Sequence, residues 1–406
     1  MTGATSRGAS TDPAVWRVRG HPLVAAAQDG PLAGLRIAVK DVVAVRGHAI
    51  GAGNPTWLRE APVEAAHAAA LADLLAAGAS VEGIARTDEL AYALAGENAH
   101  HGTPPNPAVP GALPGGSTSG PAAAVALGQA DVALGTDTAG SIRVPASYQG
   151  LWGLRTTHGL VSRDGVLPLA PSFDTVGWLT RDAATLGRVV GACLPYLPAD
   201  GLGGLPLRVP VEVLDVLDGP TRTAFEHLVA TLGAGSVQVG ELGAHADAFR
   251  TVQGAEAWRA HGRWVDAHPG ALGPAVAARM ATAAGVAPDD EAKARAHAAA
   301  LRELVRGLGG VLVVPAAPGP APRRGLDAAA AEQVRSRTLR LTALAGLAGL
   351  PAVCVPALRV PDARIAGGDG SAPVGFCLVG PAGSDRALVD LARNLLDGLV
   401  AGTPGG

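Results

Sequence analysis

Residues 115–143 read GGSTSGPAAAVALGQADVALGTDTAGSIR, and this stretch contains one complete unit of an alternating fold. It opens with the loop 115–120, in which glycine, serine and threonine dominate. A helix is predicted from Pro121 to Leu127, because proline suits the first helical position, where a missing N–H costs nothing. A short apolar strand follows at Asp131–Leu134, and 135–143 form a second glycine-marked loop. The order loop, helix, strand, loop is typical of an α/β protein.

Outside this stretch, short apolar runs alternate with alanine- and leucine-rich runs along most of the chain. The apolar runs predict strands at Leu35–Val39, Ser80–Ile84, Leu207–Val211, Val311–Pro315 and Ala352–Val355. The alanine-rich runs predict helices at Pro62–Ala77, Thr87–Ala95 and Ala328–Ala348, and over most of 220–310. This alternation predicts an α/β protein whose helices cover a largely buried sheet.

The composition is that of a globular protein without a strong charge. Of the 406 residues, 48% are hydrophobic and 17% are charged, and the formal net charge is −3 with no block of like charges. Nucleic acid and an anionic membrane are therefore poor candidate partners. The uncharged run between Arg340 and Arg359 is long enough for a membrane span, but its Gly-Leu-Pro break predicts a helix to about Ala348 and then a buried strand. With no recognisable secretory signal, we expect a cytoplasmic protein.

Sequence motifs for cofactors, metals and disulfides are lacking. We find no glycine-rich dinucleotide or phosphate loop, no zinc-protease or paired-cysteine motif, and no serine elbow of the α/β-hydrolase type. No cofactor and no metal are therefore expected. Cys193, Cys354 and Cys377 are odd in number and lie in apolar stretches, which predicts buried free thiols. His100 and His101 are adjacent and cannot share a helix face, so we interpret them as structural or surface residues.

The basic residues single out one lysine. The chain has 30 arginines and two lysines, Lys40 and Lys293. Lys293 lies in a charged helical stretch, where a solvated side chain is expected. Lys40 ends an apolar strand, where burial can push an amine toward its neutral form and make it a base, which arginine cannot become. The residues leave open whether Lys40 is such a base or an ordinary strand-end lysine paired with Asp41.

Two glycine-framed serines, Ser117 and Ser141, lie 24 residues apart. Loops of this kind let backbone N–H groups converge on a phosphate or an oxyanion. The alternative interpretation is plain tight turns around a helix.

Taken together, these segments resemble the amidase signature family, whose members hydrolyse amides with a serine, cis-serine and lysine triad. The resemblance rests on the lysine strand 35–41, the two serine loops, and further matches at 153–155, 172–177, 349–352 and 372–375. It covers roughly residues 31–185 and 338–395. It implies one large α/β/α domain over 1–406 with a mixed central sheet, a variable substrate-pocket region at about 190–330, and frequent pairing as a homodimer.

The resemblance also implies a role for each residue of the site. Ser141 is the expected nucleophile, and Ser117, preceded by a cis peptide, is expected to relay its proton to Lys40. Water would then hydrolyse the acyl-enzyme. The expected oxyanion donors are the backbone N–H groups of the nucleophile loop, namely those of Thr138, Ala139, Gly140 and Ser141. Asp137 and Arg143, which flank the nucleophile, are expected to organise its loop by hydrogen bonds.

The expected substrate is a small-molecule amide. Segments 87–92 and 96–107 resemble a compact branch of the family that includes plant indole-3-acetamide hydrolases, which implies a small primary amide such as an aryl-acetamide. Trp258, His261 and Trp264, spaced by three, are interpreted as helix packing, with an aromatic acyl pocket as the alternative.

Three alternatives stay open on function. Bacterial ureide hydrolases, which act on allophanate or carboxybiuret, share several of these features. A subunit that is active only with a small partner protein is a second alternative. A receptor-like relative without catalysis is the third, although this chain keeps both serines and the lysine.

Overall fold

The computed structural model describes residues 12–195, 202–365 and 369–401. Within these ranges eleven strands form one sheet. The strands are β1 Trp16–Val24, β2 Arg36–Lys40, β3 Ser80–Ala85, β4 Val132–Asp137, β5 Trp152–Arg155, β6 Thr175–Thr180, β7 Leu207–Pro210, β8 Gly235–Val237, β9 Val311–Pro315, β10 Ala352–Pro361 and β11 Ser371–Val379. Their order across the sheet is β1-β3-β2-β4-β6-β5-β10-β11-β9-β7-β8.

Helices surround this sheet. They are α1 Pro55–Glu60, α2 Ala69–Ala76, α3 Ser119–Ala126, α4 Arg143–Gln149, α5 Ala183–Cys193, α6 Gly219–Leu232, α7 Leu242–Ala267, α8 Pro274–Ala284, α9 Pro288–Gly307, α10 Ala328–Ala348 and α11 Asp385–Ala401. Among the described residues, no helix combines the length and apolar character that a membrane span requires.

The sheet is mixed. Strand β2 runs parallel to both β3 and β4, and β7 runs parallel to both β8 and β9. From β4 across β6, β5, β10 and β11 to β9, every neighbouring pair is antiparallel. All residues of β4, β5, β6, β9 and β11 are buried, because helices cover both faces of the sheet. The predicted α/β class with a mixed sheet is confirmed.

The long uncharged run folds as the sequence predicts. Helix α10 ends at Ala348, and Gly349 follows in the left-handed conformation with φ of 67°. Strand β10 begins three residues later at Ala352 and lies between β5 and β11. Cys354 on β10 lies opposite Cys377 on β11, and all three cysteines are free.

Three predicted helices have different bounds. The helix expected from Pro62 begins at Ala69, because the preceding residues pair with the chain around His48 through bonds such as Glu64 N–H to the His48 carbonyl at 3.1 Å. The helix expected at Thr87–Ala95 is a single 3-10 turn, since Leu90 has a positive φ of 50°. Helix α3 begins two residues before Pro121, which still lies in the first turn, where N–H groups have no helical partner.

Candidate active site

Lys40 is the last residue of β2 and is fully buried. Its Nζ lies 2.8 Å from Ser117 Oγ and 2.7 Å from Thr136 Oγ1. Thr136 belongs to β4, the parallel neighbour of β2, so the adjacent strand ends bring the two side chains together. Asp41, the alternative partner, instead pairs with Arg17 at 2.9 Å.

The protonation of Lys40 is set mainly by its burial. Burial lowers the pKa of Lys40 to about 7, against the opposing charges of Asp88, Asp137 and Asp174. A substantial fraction of the amine is therefore neutral at neutral pH. A neutral amine in this position can accept a proton, as the sequence suggested.

The two serines of the predicted site meet at this lysine. Ser117 Oγ lies 3.0 Å from Ser141 Oγ, so the three polar groups form a continuous chain from Lys40 to Ser141. The Gly116–Ser117 peptide bond is cis, as the resemblance implied. Ser141 is 3% exposed, so the chain of contacts is buried along its whole length.

Asp88 holds the loop before Ser117, and the sequence did not identify it. Its carboxylate accepts hydrogen bonds from Ser119 Oγ at 2.9 Å and from the Gly96 N–H at 3.0 Å. A Cβ added at Gly116 would lie 2.2 Å from Asp88 Oδ2, so only glycine fits there. Burial raises the pKa of Asp88 to about 6. These contacts hold Asp88, which follows the end of β3, against the serine loop.

Asp137 anchors the loop that carries Ser141. Its carboxylate accepts bonds from the Ile142 N–H at 3.1 Å, from Arg143 Nη2 at 2.8 Å and from Arg155 Nη1 at 3.1 Å. Burial alone would raise the pKa of Asp137, but the charge of Arg143 outweighs it with help from Arg155 and holds the pKa well below its usual range. The carboxylate is therefore ionised and organises the loop through charge-assisted bonds.

The backbone N–H groups of this loop fall into two sets. Those of Thr138, Ala139 and Ser141 have no hydrogen-bond partner among the described residues. The N–H of Gly140 donates to Asp137 Oδ1 at 2.9 Å, so the structure gives this predicted oxyanion donor to the carboxylate instead. Three of the four predicted donors therefore remain open among the described residues.

Side chains from two other segments form hydrogen bonds with Thr138 and Ala139, two of the residues whose N–H groups are open. The Thr342 hydroxyl on α10 donates to the Ala139 carbonyl at 2.6 Å. The Thr138 hydroxyl donates to Asp174 Oδ1, also at 2.6 Å. Neither Thr342 nor Asp174 was singled out from the sequence as a site residue, because the residue type alone does not reveal a contact across such a separation.

The other residues that the sequence singled out make contacts typical of packing or of the protein surface. His100 Nε2 lies 2.7 Å from Glu89 Oε1, and no group of histidine, cysteine and carboxylate side chains in the described ranges could hold a metal ion. Trp57 packs edge-on against both His261 and Trp264, so this stripe serves helix packing as predicted. Lys293 is exposed beside Asp290, as expected for a solvated lysine.

The chain matches known proteins in sequence. The sequence model of the family described as Amidase matches residues 19–201. The chain is 35% identical over 414 residues to Amidase 1 of Oryza sativa subsp. japonica, which covers 92% of each protein.

Two solved structures have the same fold. One, described as revealing the evolutionary origins of an s-triazine catabolic enzyme, superposes with a TM-score of 0.82 at 28% identity, over 92% of this chain and 85% of the other. The allophanate hydrolase of Kluyveromyces lactis superposes with a TM-score of 0.79 at 28% identity, over 90% of this chain and 62% of the other. With its mixed sheet and its sequence relatives, the chain belongs to the amidase family and is an amidohydrolase.

Proposed function

We propose that the protein hydrolyses a carboxylic amide to an acid and ammonia through an acyl-enzyme on Ser141. The observation that supports this most directly is the chain of contacts from Lys40 Nζ to Ser117 Oγ at 2.8 Å and on to Ser141 Oγ at 3.0 Å. Such a chain places a base within reach of a nucleophile through one relay group.

In acylation, Ser141 Oγ attacks the amide carbonyl while its proton passes to Ser117, whose own proton passes to Lys40. The neutral amine donates one N–H to Thr136 Oγ1, which leaves its lone pair free to face Ser117. Thr136 is therefore a positioning residue for the base.

The tetrahedral oxyanion is held by the open N–H groups of Thr138, Ala139 and Ser141. One such donor is worth about 10²–10³ in rate in serine hydrolases. Protonated Lys40 then returns its proton through Ser117 to the leaving nitrogen, and ammonia departs. A water molecule then attacks the acyl-enzyme while its proton passes through Ser117 to Lys40. The proton returns through Ser117 to Ser141 Oγ as the acid is released.

The substrate is a small primary amide, for which an aryl-acetamide is the first candidate. The packing of Trp264 and His261 against Trp57 supports helix packing over an aromatic acyl pocket for that stripe. A ureide that carries a carboxylate is the second candidate, and two arginines described below favour it. The proposal includes a homodimer, which light scattering on the purified protein tests.

Intact-mass measurement after treatment with a small fluorophosphonate tests the nucleophile without knowledge of the substrate. We expect one adduct on the wild-type protein and none on Ser141→Ala. An adduct that persists in Ser141→Ala, or a wild-type protein that stays unlabelled at pH 8, contradicts the proposal. Ammonia release from aryl-acetamides and ureides then distinguishes the two substrate candidates.

A further inference from the structure

Arg279 on α8 is a largely buried arginine without a partner. No described residue accepts a hydrogen bond from it or forms an ion pair with it, and its Nε is fully buried and unsatisfied. Its guanidinium lies 5.7 Å from the centroid of the Tyr92 ring. A cation–π contact of this kind recovers only part of the cost of burying a charge.

Arg335 on α10 is the second member of this cluster. Its side chain is 14% exposed, its Nε is buried and unsatisfied, and its single bond is a long one of 3.4 Å to Glu332 Oε1. Glu332 is half-exposed and is shared with Arg250 at 3.7 Å. Burial and the charge of Arg335 lower the pKa of Arg279 to about 10. Two like charges therefore act on each other, and the charges of Glu332 and Asp88 offset this repulsion and the burial only in part.

Tyr92 completes the cluster. Its ring is buried, and no described residue forms a hydrogen bond with its hydroxyl. The charges of Arg335 and Arg279 both act on this hydroxyl, which places it near the two guanidinium groups. Arg279 on α8 and Tyr92 in the segment after β3, both without a hydrogen-bond partner among the described residues, thus lie near Arg335 on α10, which has one long bond.

The cluster lies beside the proposed catalytic groups on two sides. Thr342, which binds the Ala139 carbonyl, follows Arg335 by seven residues on α10, so the two share a face about 10 Å apart along the helix. Tyr92 precedes Leu94 by two residues, and the Leu94 carbonyl accepts a bond of 2.8 Å from the Gly116 N–H. Helix α10 thus links the cluster to the loop of Ala139, and the segment 92–94 links it to Gly116, the neighbour of Ser117.

We propose that Arg279, Arg335 and Tyr92 form a carboxylate subsite, and that the substrates are small amides that carry a carboxylate a few bonds from the scissile carbonyl. This inference rests on the proposed amide hydrolysis at Ser141. Guanidinium groups bind a carboxylate through paired N–H donors, and the Tyr92 hydroxyl supplies one more. Monoamides of short dicarboxylic acids and N-carboxylated ureas belong to this class.

The matched substrates are succinamate and 4-oxopentanamide, which have the same length. Succinamate ends in a carboxylate, and 4-oxopentanamide has a neutral methyl ketone in its place. Arg279→Met is expected to lower kcat/KM for succinamate by about 10- to 100-fold, the usual value of a hydrogen bond to a charged group. The loss appears mainly in KM, while kcat/KM for 4-oxopentanamide and the fluorophosphonate labelling rate stay within twofold. Arg340→Met is the control, because Arg340 is exposed on α10, the helix of Arg335. It is expected to leave kcat/KM for both substrates unchanged.

Two outcomes of these assays overturn the subsite. One is an equal loss for both substrates in Arg279→Met. The other is a wild-type enzyme that hydrolyses 4-oxopentanamide but none of malonamate, succinamate and glutaramate.

A binding experiment separates the subsite from the catalytic proposal. Succinate is expected to raise the Tm of the Ser141→Ala protein and to lose this effect when Arg279→Met is added. That result supports the subsite even if the wild-type enzyme proves inactive toward amides. No shift with succinate, or a shift that inorganic phosphate reproduces at the same concentration, overturns the assignment to a carboxylate.

Discussion

Acidification from pH 9 to pH 5 is expected to lower kcat/KM by about 100-fold, because the proposed base loses its neutral form. With a pKa of about 7, Lys40 is about 99% neutral at pH 9 and about 1% neutral at pH 5. The proposed base is the neutral amine, so the rate is expected to rise as the pH rises. Because burial lowers the pKa of Lys40 to about 7, the rise is expected around pH 7. The rate constant for fluorophosphonate labelling of Ser141, measured from pH 5 to pH 9, reports this directly and needs no substrate.

Asp88→Asn tests whether Lys40 is the group that titrates. The charge of Asp88 raises the pKa of Lys40, so its removal is expected to move the acid limb of the profile to lower pH. Asp385→Asn is the matched control, since this buried carboxylate bonds to Thr157 and does not act on Lys40. A flat profile, or a limb that stays in place in Asp88→Asn, refutes the assignment of Lys40 as the base.

Three further substitutions test the packing of the site. Gly116→Ala puts a Cβ 2.2 Å from Asp88 Oδ2 and is expected to abolish labelling and lower the Tm by several degrees, whereas Gly187→Ala, where nothing lies within 4 Å, leaves both unchanged or slightly raises the Tm. Lys40→Met is expected to lower the labelling rate by about 10²–10⁴ and to raise the Tm, because it removes a buried amine; a lower Tm contradicts this. Arg143→Met leaves a buried carboxylate with half of its compensation and is expected to cost about 3–5 kcal/mol in urea unfolding, so a loss below 1 kcal/mol refutes the anchoring role.

The chemistry-bearing segments could be predicted because their composition is unusual. A chain with 30 arginines and two lysines makes Lys40 conspicuous, and two glycine-framed serines 24 residues apart are equally so. These features are local, and the strand ends that bring them together follow from the parallel pairing of β2 and β4. The prediction of a single domain over 1–406 stays a prediction.

The sequence could not reveal features that depend on distant contacts. Strand β1, Trp16–Val24, contains Gly20 and Pro22, which weaken any strand pattern and are tolerated because β1 lies at the edge of the sheet. Arg279 and Arg335 look like ordinary helix arginines, since each belongs to a helix that otherwise reads as amphipathic. Only the positions of α8 and α10 in space reveal that no described carboxylate pairs with Arg279 and that Arg335 has a single long bond to Glu332.

The Asp137 anchor has a consequence for engineering. In the proposed mechanism, the N–H groups that stabilise the oxyanion belong to a loop whose carboxylate, Asp137, is paired with two buried arginines. Charge that develops on the substrate therefore meets dipoles that need almost no reorganisation. Rate and stability are coupled in this loop, so attempts to raise the heat resistance of the enzyme belong on its outer helices and not around Ser141.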